Sequence, residues 1–272
     1  MTSVIKRHPN LFYFLFAFLW TWILAFSLIF THAVEDVSKP TPVFVLVGIL
    51  SGIAPSLSAI LVTWLAKGRE GLKQLFGQVK RPASGGLVAL ALLTVPVILV
   101  LTTVLSHLVV RRYTFSLTVP LLAVGLVWPL FSCLGEEFGW RGFILPQLLA
   151  RFGTLKASLI LGVIWATWHL PMYWIGYQHY GAWTLGGFLI PGYLNLIAQS
   201  AVMAWLYARS NGSLKLTLFY HYTITASAIL KGAFLSTDAL PKSDVLESAI
   251  SVLLFTAWAI FLYRSGQKAE NP

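Results

Sequence analysis

The sequence predicts an all-α protein, a polytopic helical transmembrane bundle of about eight spans, and three observations predict it. Apolar residues make up 57% of the 272 positions. Charged residues make up only 10%, where a soluble domain carries about a quarter. Apolar runs of about twenty residues, the length that crosses a bilayer as helix, recur from one end to the other. A backbone in lipid must satisfy its own hydrogen bonds, so each run reads as a helix.

The spans are expected at 11–34, 43–66, 87–110, 118–149, 155–177, 186–208, 214–230 and 245–263. The first run, Leu11 to Val34, is too long for a signal peptide's apolar region. No small-residue cleavage site follows it, so it reads as a retained span. The fourth is longer than a bilayer requires and contains Pro129 and Pro146. The turn between spans four and five centres on Arg151 to Thr154, and that between six and seven on Ser210 to Gly212. No repeat, low-complexity tract or second domain interrupts 1–272, which reads as a single integral membrane domain.

The net charge of +10 does not call for nucleic acid. Basic residues collect in cytoplasmic loops, and that accounts for the excess. With the N-terminus inside, the outer loops hold Lys39, Arg111, Arg112, Lys231 and Lys242, and Arg141 lies within a span; the other 13 of the 19 Lys and Arg residues fall inside. This bias places both termini in the cytoplasm, and the short tails suggest a prokaryotic cytoplasmic membrane. Residues 67–86 mix bases with Leu72, Leu75, Phe76 and Val79. An amphipathic helix lying on anionic lipid is one reading, and an ordinary positive-inside loop is the preferred one. Cys133 is the single cysteine, which excludes an internal disulfide and a cysteine metal cluster.

Seven of the nine acidic residues fall in loops, tails or span ends; Glu136 and Glu137 sit deep in span four, with Arg141. A mid-bilayer charge costs about 2.5–3.5 kcal/mol, so the three must be paired, protonated or in contact with water. Glu137 and Arg141 are four apart, acid first, the favourable order for a pair on one helix face. Glu136 points about 100° away from Glu137 and needs another partner. His169 is the candidate, because Glu136 and His169 are equally far from the turn that joins their helices. His221, with Thr225 one turn further on, is a third member of the cluster. A carboxylate held by an imidazole can activate water as a general base, and neighbouring donors can hold the oxyanion that forms. Asn195 and Gln199 read as interhelical hydrogen-bond partners. His8, His32, His107 and His179 receive no role.

Three motifs in this order, Glu136-Glu137-x-x-x-Arg141, Trp165-x-x-x-His169 and His221-x-x-x-Thr225, resemble a known family. The chain is similar, over residues 130–230 in spans four to seven, to the CAAX-protease and bacteriocin-processing family. These are intramembrane glutamic endopeptidases that include the eukaryotic enzyme trimming prenylated CaaX proteins. The resemblance implies a metal-independent peptidase with no cofactor. It makes Glu136 the base, assisted by His169, with His221 and residue 225 holding the oxyanion and Glu137 and Arg141 ordering the site. Its implied partners are a peptide or lipidated protein substrate and the lipid bilayer. Trp165 stands where the family usually has Phe, and Thr225 where it usually has Asn or Asp. A hydroxyl offers one donor where an amide offers two. Two other readings stay open: a non-catalytic membrane scaffold or immunity protein, and a proton-coupled transporter, whose intramembrane carboxylates and histidines are of the same kind.

Overall fold

The structure, a computed structural model, describes residues 2–31, 41–109, 113–171, 189–237 and 241–270. His32, Lys39, Arg111, Arg112 and His179 lie outside the described residues. So do the end of expected span five and the start of span six.

Proline and a hydroxyl cap open the first long helices. Helix α1 (Thr2–Arg7) leads through His8 into α2 (Pro9–Phe30), and α3 (Pro42–Gly52) begins where the Thr41 side chain accepts from the Phe44 N–H at 3.2 Å. Helix α4 (Ala54–Gly77) breaks at Gly68, whose φ of 60° only glycine adopts without strain. Beyond that break residues 69–77 are helical and bury Leu75 against Gly142. The plain-loop reading of this stretch is therefore corrected: an apolar stripe at helical spacing docks onto the bundle's own underside.

Helix α5 (Gly85–Val109) is followed by α6 (Val119–Glu137), a π turn (Phe138–Ile144) and α7 (Leu145–Trp168). Helix α7 reverses at Gly153, with φ 70° and ψ 174°, where the sequence places the turn between spans four and five. Helices α8 (Ile190–Arg209), α9 (Leu214–Phe234) and α10 (Pro241–Glu270) complete the bundle. Strands β1 (Tyr113–Phe115) and β2 (Leu235–Thr237) pair antiparallel, Phe115 opposite Leu235, a small element the hydropathy pattern does not foretell.

The chain is an all-α integral membrane protein. Among the described residues five stretches are long and apolar enough to cross a bilayer: Pro9–Phe30, Pro42–Lys80, Gly85–Val109, Val119–Trp168 and Val245–Gly266. The fourth holds two expected spans, divided at Gly153, so these stretches accommodate six of the eight. Expected spans six and seven overlap α8 and α9, which are not among the five, so the count of eight is not reached among the described residues. These two helices fall short in hydropathy because they face the interior, where Ser200, Thr217 and His221 are buried. Outer faces are the reverse: Leu93, Val97 and Val100 of α5 are exposed, as lipid-facing side chains must be.

Polar side chains join the inner helices. Ser200 donates to the Ser158 carbonyl at 3.1 Å, Asn195 to Ser251 at 3.0 Å, and Gln199 to Asn195 at 3.2 Å. One close approach sets the position of the charges. Gly135 and Gly139, one turn apart on α6 and the π turn, face the junction of α3 and α4. A Cβ at 135 would lie 2.5 Å from the Gly52 carbonyl oxygen, and one at 139 would lie 2.5 Å from that of Pro55. Glycine at both positions brings the backbone of the Glu136–Glu137 segment against that junction.

Candidate active site

Arg141 donates through Nη1 to Glu137 Oε1 at 2.9 Å, and both side chains are wholly buried, 0% exposed. The pair expected from the spacing is present, although it lies across the start of a π turn rather than in a regular helix. Such wide turns occur mostly as single insertions in α-helices, frequently at functional sites. Two outside contacts hold this one. Gln78 donates to the Gly142 carbonyl at 2.9 Å, and Tyr207 donates to Gln78 Oε1 at 2.6 Å. The Arg141 guanidinium lies 4.2 Å over the Trp165 ring, whose π face favours the cation.

His221 approaches the same carboxylate from α9. Its Nδ1 is 2.8 Å from Glu137 Oε1, so Nδ1 carries the hydrogen and donates. Its Nε2 is then left for Ser132 Oγ at 3.1 Å and for Glu136 Oε1 at 3.8 Å. Ser132 Oγ is also 3.4 Å from Thr225 Oγ1. His221 thus meets Glu137 more closely than Glu136, a pairing the residue spacing does not specify.

Glu136 has a different partner from the one expected. Trp165 Nε1–H donates to its Oε2 at 2.6 Å. His169 Nδ1 instead lies 2.9 Å from the Trp165 carbonyl, the bond of a helix end, and places its hydrogen there. The equal-depth argument does bring His169 and Glu136 to one place: both line a cavity of about 190 Å³. Thr21, Trp128, Phe131, Ser132 and Trp168 share that wall. Helix α7 turns both ring systems inward, with Trp165 5.7 Å and Trp168 4.7 Å from the His169 ring, centroid to centroid.

Two groups were not anticipated from the sequence. Trp165 reads as the aromatic of an aromatic-x-x-x-His pair, with no role for its N–H. Ser132 lies four residues before Glu136, hence on the same helix face, and that spacing is the signal that could have found it.

All six residues singled out from the sequence, Glu136, Glu137, Arg141, His169, His221 and Thr225, fall within residues 118–227. That segment matches the family model described as type II CAAX prenyl endopeptidase Rce1-like. Over 274 aligned residues the chain is 25% identical to a Methanococcus maripaludis protein named CAAX prenyl protease 2, covering 94% of this chain and 96% of that one. Through the helices that assemble its buried charge cluster, the chain is similar to the Rce1-like type II CAAX prenyl endopeptidases.

Proposed function

We propose that the chain hydrolyses a peptide bond of a membrane-associated or lipidated substrate, with Glu136 activating the attacking water and without a metal ion or cofactor. One observation carries this reading. Of the two adjacent glutamates, Glu137 is closed in by Arg141 and His221, while Glu136 lines the cavity beside His169. A structural ion pair needs one carboxylate; the second, open to a cavity, has work of another kind.

In this mechanism Glu136 accepts a proton from a water in the cavity, and the oxygen adds to the scissile carbonyl. The proton then passes to the leaving nitrogen as the C–N bond breaks. His169 has its Nδ1 hydrogen committed to the Trp165 carbonyl, so its Nε2 is the acceptor that orients the water. Glu137 and Arg141 fix the helix geometry from behind. With water occupying about 30 Å³, a cavity of about 190 Å³ has room for the attacking water beside the scissile carbonyl. The aromatic wall of Trp128, Phe131 and Trp168 suits a lipidated cysteine such as the relative's name implies. Residues 130–230 form the catalytic core of a single domain spanning 1–272, in a prokaryotic cytoplasmic membrane with both termini cytoplasmic.

The test is cleavage of an internally quenched peptide library, including farnesylated CaaX peptides, by the purified protein in detergent. Wild type, Glu136→Gln and His169→Ala are compared, each with and without chelator. Turnover by wild type alone, indifferent to chelator, is expected. Turnover that chelator removes and zinc restores would replace this mechanism with a metal-assisted one. A Glu136→Gln protein as active as wild type would end the proposal.

A further inference from the structure

We infer that Ser132 is the group that contacts the substrate oxyanion, with His221 and Thr225 acting through it. This rests on the proposed hydrolysis at Glu136 and moves the oxyanion contact away from the residues that the sequence motifs assign.

The argument begins at the cavity wall. Of Ser132, His221 and Thr225, only Ser132 lines the cavity together with Glu136 and His169. His221 is 3% exposed and lies behind it. Ser132 precedes Glu136 by one helical turn, so its hydroxyl and the carboxylate project to one side of α6. An oxygen developing charge beside a water held by Glu136 meets that hydroxyl before it meets either of the others.

The hydrogen bonding supplies direction. His221 Nδ1–H is committed to Glu137 at 2.8 Å. His221 Nε2, 3.1 Å from Ser132 Oγ, anchors the serine hydroxyl in the cavity wall. An oxygen developing negative charge in the cavity is the stronger acceptor, and the serine O–H turns to it. Thr225 Oγ1, 3.4 Å from Ser132 Oγ, is the resting partner of that hydroxyl and holds it in place when no substrate is bound. The short arm of threonine at 225 therefore leaves no gap to fill, because the serine in front of it completes the site.

The experiment uses the full-length protein in detergent and a farnesylated CaaX peptide as probe. Ser132→Ala, Thr225→Val and the double variant Ser132→Ala/Thr225→Asn are compared for kcat and KM. Loss of one oxyanion donor lowers kcat by roughly 10²–10³, and Ser132→Ala is expected to fall in that range with KM unchanged. Thr225→Val is expected to lose less than about tenfold, since it acts through the serine. In the double variant the longer asparagine arm reaches the vacated place, and kcat is expected to recover at least about tenfold over Ser132→Ala.

A Ser132→Ala enzyme within threefold of wild type would overturn the assignment, as would a Thr225→Val loss equal to or larger than that of Ser132→Ala. Complete loss in Ser132→Ala that asparagine at 225 does not relieve, with fluorophosphonate labelling of Ser132 in the wild type, would make the serine a nucleophile and overturn it equally. Each of these outcomes presupposes Glu136-dependent turnover by the wild type. Failure of that turnover would count against the hydrolytic reading itself.

Discussion

Glu136 and Glu137 are neighbours in sequence, yet they sit in opposite kinds of surroundings. Around Glu137 the bundle is closed: a guanidinium, an imidazole and the face of Trp165 meet with no exposed surface. Around Glu136 it is open on one side, where the Trp165 indole N–H steadies the carboxylate against a cavity. The 100° step between consecutive helical residues divides the two environments. It teaches that a membrane bundle can hold two adjacent carboxylates when one is neutralised by buried partners and the other faces a cavity.

Substitutions should separate the halves. The largest effect is expected from Glu136→Gln, which keeps shape and removes the proposed base. Activity should fall by about 10²–10⁴ while the melting temperature in detergent changes little. Equal loss of stability would blur the distinction between the halves. Next comes Arg141→Met, which leaves Glu137 a buried charge without its main partner. It should destabilise the fold by about 3–5 kcal/mol, read by thermal unfolding. A variant as stable as wild type would show that His221 alone suffices. Trp165→Phe removes the N–H to Glu136 and retains a ring under Arg141. About 1.5–3 kcal/mol of a charge-assisted hydrogen bond is at stake, and kcat should suffer more than stability. The smallest effect is expected at Gln78→Leu, which frees the Gly142 carbonyl on the π turn. It should cost about 1 kcal/mol of stability and a modest fraction of the rate.

Much of this arrangement was legible in the sequence, for identifiable reasons. Helices in lipid are announced by composition, and the Gly153 reversal by an interruption between two apolar runs. The Glu137–Arg141 pair follows from i,i+4 spacing. What resisted was contact chosen by packing. The π turn, the indole bond to Glu136 and the service of His221 to Glu137 depend on how α6, α7 and α9 rotate against one another. Rotation is set by glycine contacts and side-chain fit, which periodicity does not encode. The inner helices α8 and α9 read in the sequence as spans like the rest, and the structure shows why they are less apolar: their neighbours are protein rather than lipid.

The two hydrogens of Gly135 and Gly139 that face Gly52 and Pro55 have a consequence for how such a chain can diverge. Along the outer face of α5, leucine, valine, isoleucine and phenylalanine are nearly interchangeable, because lipid conforms to any of them. At 135 and 139 an added methyl would meet a carbonyl oxygen of a neighbouring backbone. No rotamer change relieves that collision; the helices themselves would have to part. Descendants of this sequence can therefore exchange most of their membrane-facing surface while these two positions admit one residue type, and an alanine scan of α6 and the π turn should show a steep drop in folded yield at both.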